Sequence, residues 1–280
     1  MKKIKIIPIV KVKSFATAQT IKISEKTIER TKKAHGFFAE VGNMSMFVGR
    51  IFRETFSVNF EFKEFIRQCY EIGNKSLPLV VITGAIMGLV LTIQSRPALA
   101  GFGAVTMLPG MVAISIIREI GPVITALIFA GKVGSGMGAE LGSMRVTEQI
   151  DAMEVSATNP IKFLVVTRVI AATLMLPILV LFADAFGLMG SWIGYNIKGD
   201  MNLVLFFSRA FGSIDFMDLF PAIIKTFFFG AVVGVVGCYK GFNAGRGTES
   251  VGKAANSAVV LSSLLVIVVD MIAVQITDMM

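Results

Sequence analysis

Residues 76–95 form a run of 20 without a charged side chain, bounded by Lys75 and Arg96. At about 1.5 Å per helical residue, such a run crosses a hydrocarbon core of roughly 30 Å. A bilayer offers the backbone no hydrogen-bond partners, so a segment of this kind folds as a helix. Four more apolar stretches follow. Residues 107–131 are interrupted by Arg118, Glu119 and the Gly121-Pro122 pair, and residues 169–197 hold Asp184. Residues 219–239 hold Lys225, and residues 254–277 hold Asp270. Five transmembrane helices are therefore predicted, in an all-α integral membrane fold. Composition agrees: 16% of residues are charged, against roughly 25% in soluble domains.

The basic residues are unevenly spread. Fifteen of the 27 Lys+Arg lie in the first 75 residues. The segments that would share one side with them, about 132–168 and 240–253, add Lys132, Arg145, Lys162, Arg168, Lys240, Arg246 and Lys253. The opposite segments hold only Arg96, Lys198 and Arg209. Cytoplasmic loops are the ones rich in Lys and Arg, so the N-terminus is expected in the cytoplasm and the C-terminus outside. A basic flank beside membrane spans faces anionic lipid, and nucleic acid is not expected as a partner. Lys5, Lys11 and Lys13 break the apolar start, and no cleavable signal peptide is expected. His35 is the only histidine, and Cys69 and Cys238 lie far apart, which predicts two reduced thiols and no metal site, cofactor or catalytic residue.

Ahead of the first span, residues 1–35 read as a basic tail without period. Over residues 44–69, Phe47, Ile51, Phe52, Val58, Phe62, Phe65, Ile66 and Cys69 recur at spacings of three and four. Arg50, Arg53, Glu61, Lys63, Glu64 and Arg67 take other positions. This predicts an amphipathic interfacial helix, or a broken pair of them, too charged to span. The regions are thus a tail (1–35), an interfacial elbow (36–74) and a membrane domain (75–280). Gly84/Gly88, Gly134/Gly138, Gly138/Gly142 and Gly230/Gly234 have the spacing that lets helix backbones approach closely.

Between spans two and three lies GSMRVTEQIDAMEVSATNP. Val146, Ile150, Met153 and Ala157 fall on one helical stripe, and Arg145, Glu148, Gln149, Asp151 and Glu154 occupy the rest. Asn159-Pro160 reads as a cap and a first-turn proline for span three. The acidic polar face suits a protein partner better than an anionic membrane surface. Near span five, the stretch from Gly247 to Gly252-Lys253 has phosphate-loop spacing, but Ala254 stands where a Mg²⁺-binding hydroxyl is needed and no strand pattern precedes it. Energy for any transport must then come from a partner.

The stretch AISIIREIGPVITALIFAGKVGSGMGAELGSMRVTEQIDAMEVSATNP resembles the signature region of MlaE-type (YrbE) permeases. CYKGFNAGRGTESVGKAANSAVVLSS is similar to that family's last cytoplasmic loop and final helix. The likeness covers about residues 44–280 and rests on R-E-x-G-P, A-G-K/R-x-G-S and T-E-Q-x-x-x-M-E occurring in order. It implies an elbow helix and five spans, with a cytoplasmic coupling helix between spans two and three, in an inner-membrane protein. It also implies a homodimeric permease subunit of an ABC transporter, not itself an enzyme, that moves phospholipid or a related lipid. The implied partners are a separate ATPase, an MCE-domain lipid-binding protein and a second permease copy; whether a small regulatory subunit joins them stays open. On these positions it places coupling at Glu148, Gln149, Asp151, Met153 and Glu154, and favours Arg118, Glu119 and Lys225 for the lipid cavity.

For the ionisable residues at membrane depth two readings stand. Lys225 could be a structural ion-pair partner, of Asp184 or Asp270 for example, or part of a polar lining for a lipid head group. Two other functions would leave different marks on the sequence. An ion-coupled secondary transporter predicts internal repeats, and none is visible. A membrane scaffold for extracytoplasmic lipid-binding proteins leaves the acidic helix between spans two and three without a purpose.

Overall fold

The computed structural model describes residues 38–56 and 60–279, all helix and connecting turns; the basic tail 1–35 lies outside them. Two compact units are distinguished, one up to Arg50 and one from Ile51 to Met280. The described part of the first is helical, residues 38–50, within a helix α1 that covers residues 38–55. The second unit contains α2 (Phe62–Gly101), α3 (Val105–Val146), α4 (Gln149–Val155), α5 (Ile161–Asn196), α6 (Leu203–Phe211), α7 (Phe216–Phe242) and α8 (Thr248–Asp278). Five of these, α2, α3, α5, α7 and α8, are long and apolar enough to cross a membrane, as the sequence predicts.

Helix α2 runs unbroken through Lys75, so the elbow region and the first span share one helix. Its buried residues are Glu64, Gln68, Ile72, Ser76, Val80, Gly84, Gly88 and Thr92, every fourth position. In the first turns this reverses the face the periodicity marks: Phe62 and Ile66 point outward, while Glu64 and Gln68 are buried and bonded to each other at 2.8 Å. In lipid an outward apolar side chain is already solvated, so it is the polar pair that gains by facing the bundle.

The same ridge packs on α5. A Cβ built on Gly84 would meet the Ala183 carbonyl oxygen at 2.6 Å, and one on Gly88 or Gly190 would overlap the backbone of Gly187 or Ala85. Small residues at Ala183, Gly187 and Gly190 on α5 therefore belong with the glycine pairs found in α2. A buried hydrogen bond of 2.6 Å between Thr92 and Ser191 continues the seam. Gly230 of α7 approaches Ala172 of α5 in the same way, its Cβ position 2.6 Å from that carbonyl oxygen.

Two π-helical turns interrupt α3, at Ile116–Ile120 and Ala130–Gly134. The first ends against Gly121-Pro122, where the proline has no amide hydrogen to donate and the wider turn absorbs the mismatch. Helix α6 is absent from the sequence reading. Its cap is Asn202, whose side chain accepts from the Val204 amide at 3.4 Å. Phe206 anchors it among Leu108, Val112, Ile116 and Tyr195.

Candidate functional site

Ionisable residues from α3, α7 and α8 meet at membrane depth. Lys225 Nζ donates to Glu119 at 2.8 Å and to Asp270 at 2.9 Å. Arg118 lies 3.5 Å from Asp218. Adjacent in the first π turn, Arg118 and Glu119 thus turn to different partners on α7, as their angular separation requires. Asp218 is placed by its own helix start, where its second carboxylate oxygen accepts from the Asp215 amide at 3.2 Å. The three residues predicted for the cavity, Arg118, Glu119 and Lys225, are brought together. Asp270 joins them and Asp184 does not.

Exposure within the cluster is graded. The Lys225 side chain is 6% exposed and Asp270 19%, while Arg118 and Glu119 reach 35% and 38%. The lysine is the buried hinge of the network, and Arg118 and Glu119 present its accessible edge. Asp184 sits apart on α5, buried, with its Oδ1 unpartnered among the described residues and close to Gly121. A side chain at Gly121 would occupy that oxygen's position, so Gly121 is required where α3 passes Asp184.

At the far end of α3, the acidic connection forms α4. Ile150 is fully buried and Met153 half-buried, while Glu148, Gln149, Asp151 and Glu154 are exposed. Of the five residues predicted for coupling, four therefore face out and Met153 turns partly toward the bundle. Ala157, expected on the apolar stripe, is exposed in a left-handed conformation (φ 58°) that ends the helix. Val155, which periodicity did not single out, is 90% exposed beside the acids. Arg145 pairs with Asp151. The predicted cap is present, with Asn159 Oδ1 accepting from the Ile161 amide at 3.1 Å and the Lys162 amide at 3.3 Å.

Arg168, counted in the sequence with the basic segment before span three, lies inside α5 and is buried. Its side chain is 2% exposed and donates to Glu140 at 2.8 Å and to the Leu164 carbonyl at 2.8 Å, tying α5 to α3. The signal available in sequence was weak, since Arg168 falls at the edge of an apolar run. Lys253, in the rejected phosphate-loop pattern, pairs with Glu249 at 2.7 Å in the first turns of α8. Cys69 and Cys238 are both free thiols.

Comparison with known proteins places this arrangement. The family described as "Permease MlaE" matches residues 65–276. A probable ABC transporter permease protein of Rickettsia felis is 37% identical over 85% of this chain and 92% of its own length. One of Synechocystis is 34% identical over 79% and 84%. The intermembrane phospholipid transport system permease protein MlaE of Haemophilus influenzae is 32% identical over 86% and 93%. With the match running from the start of α2 to the end of α8, through the ion cluster and α4, the chain belongs to the MlaE permease family of multi-pass ABC-transporter permeases.

Proposed function

We propose that this chain forms a homodimeric permease that moves phospholipid or a related lipid between the inner membrane and an MCE-domain lipid-binding partner, driven by a separate ATPase. The observation that carries the reading is the ion cluster, in which a buried lysine is held by two carboxylates and an accessible Arg118–Glu119 edge faces outward. Ionisable groups at membrane depth mark substrate pathways or wet cavities far more often than lipid-facing surface. A phosphate-bearing head group finds there one cation it can reach directly and a second behind Glu119. Lipid transfer between donor and acceptor vesicles, with the ATPase and MCE partners present, tests this. Arg118→Gln should slow transfer while the complex still assembles; unchanged transfer would remove the cluster from the substrate path.

The ATPase is assigned to α4, where Glu148, Gln149, Asp151 and Glu154 offer an acidic, exposed face with Val155 at its edge. Complementary charge steers and registers such contacts. Glu148→Lys combined with Glu154→Lys should reduce co-purification of the ATPase subunit by roughly tenfold or more, leaving the permease folded. Undiminished co-purification and transfer would take α4 out of the interface.

The distribution of basic residues supports a cytoplasmic α4 and N-terminus, with the C-terminus on the opposite side. Reporter fusions at Met280 and within residues 196–210 should then read as exported, and one at Asn243 as cytoplasmic. A cytoplasmic signal at Met280 would reverse the assignment.

A further inference from the structure

We infer that the groove between the ends of α2, α3 and α6 is a binding site for a phosphate-bearing lipid, with Arg209 as its charge contact. The inference rests on the lipid-permease reading and extends it to a second site on the same route. The groove measures about 740 Å³ and is lined by Leu99, Met107, Met111 and Ile114, with Arg209 and Ser213 on one wall. That volume falls in the range of roughly 300–1,000 Å³ typical of small-molecule sites. Its walls suit acyl chain, and they carry one full charge.

That charge is unanswered. Arg96 donates to the carbonyls of Tyr195 and Lys198 and lies over the Tyr195 ring. Arg118 and Arg168 are each paired with a carboxylate. Arg209 has no carboxylate within 4 Å and no side-chain hydrogen bond among the described residues, although only partly exposed. Ser213 donates to its backbone carbonyl at 3.0 Å and leaves the guanidinium free. A guanidinium fork beside an apolar bed matches phosphate attached to hydrocarbon, because its planar donors meet two phosphate oxygens at once while the chains cover the wall.

Position adds a second argument. The groove uses the first residues of α3, whereas α4 follows its last, roughly 60 Å away along a 42-residue helix at 1.5 Å per residue. The groove therefore lies at the end of the bundle remote from α4. Ile114, at its inner limit, is four residues before Arg118. A lipid held by Arg209 would thus lie end-on to the ion cluster, and the two arginines would mark successive phosphate positions on one path.

The test is photocrosslinking of the full-length chain in maltoside micelles, with a benzophenone amino acid at Met111, which is exposed on the groove wall. Radiolabelled phosphatidylglycerol and radiolabelled diacylglycerol are the probes, at equal concentration. The site predicts that phosphatidylglycerol labels about tenfold more strongly, the scale of a charge-assisted hydrogen bond. Arg209→Gln should abolish that preference and Arg209→Lys should keep part of it. Equal labelling of the two lipids by the unsubstituted Arg209 chain overturns the proposal without requiring any variant to fold. Label that is Arg209-independent, or a crosslink to a second protein chain in place of lipid, overturns it as well. If the preference fails while the Glu148→Lys, Glu154→Lys variant still blocks transfer, the groove assignment falls and the permease reading stands. An Arg209-dependent preference in a protein that transfers no lipid would leave the site and remove the permease reading.

Discussion

Lys225→Ala should lower the stability of the detergent-solubilised protein by about 3–5 kcal/mol, the range for stripping one partner from a buried ion pair. The substitution leaves Glu119 and Asp270 without the ammonium that each now contacts at 2.8 and 2.9 Å. Asp270 is the more enclosed, at 19% side-chain exposure against 38% for Glu119, so it should account for more of the loss. Thermal unfolding followed by size-exclusion chromatography would measure it. Adding Asp270→Asn should recover much of the stability, and Glu119→Gln less. Asp184→Asn should recover none, because Asp184 does not face the lysine. Rescue by Asp184→Asn, or a Lys225→Ala protein as stable as wild type, would contradict the network. A rescued double variant that remains unable to transfer lipid would separate the lysine's part in transport from its part in stability.

Gly88→Val should prevent accumulation of folded protein. A Cβ at that position overlaps the Gly187 carbonyl oxygen, which is backbone and cannot rotate aside. Overpacking ordinarily costs about 1–3 kcal/mol; here it also forces α2 and α5 apart along a seam that includes Gly84, Gly190 and the Thr92–Ser191 hydrogen bond. Gly88→Ala should show the lesser effect, as a lowered unfolding temperature. Gly136→Ala is the control. Nothing lies within 4 Å of its Cβ position, and alanine in a helix is favoured over glycine by up to about 1 kcal/mol. Equal expression of the Gly88→Val and Gly136→Ala proteins would refute the close approach.

The spans were legible because a bilayer imposes length and polarity on any segment that crosses it, and residues 76–95 satisfy both. Their ends were not. Hydropathy falls away before Lys75, yet α2 continues back to Phe62. Local pairs such as Glu71–Lys75 and the buried Glu64–Gln68 bond sustain the helix there without apolar residues. The acidic helix was also legible in kind but drawn too long. Its stripe from Val146 to Ala157 crosses positive-φ breaks at Glu148 and Ala157, so only Ile150 and Met153 remain on the inner face. Neither residue is glycine, and nothing in their identity announced the left-handed conformation.

The chemistry of the site was carried by residue identity. Arg118, Glu119, Lys225 and Asp270 stand out in any apolar run, because the energy of an ionisable group in lipid is high wherever it sits. Which of them meet was decided by the tertiary structure alone. The π turn at Ile116–Ile120 changes the rotation of α3 as it passes α7, and hydropathy carries no trace of one extra residue in a turn. That rotation sets Glu119 against Lys225 and Arg118 against Asp218, and it leaves Asp184 beside Gly121. Arg168, by sequence a loop cation, is drawn into the bundle by Glu140, and Arg209 is left facing an apolar groove. Sequence fixes how many charges a membrane helix carries, since each residue is read one at a time. Their partners depend on the relative rotation of whole helices, which is settled only when backbones as close as Gly88 and Gly187 lock together.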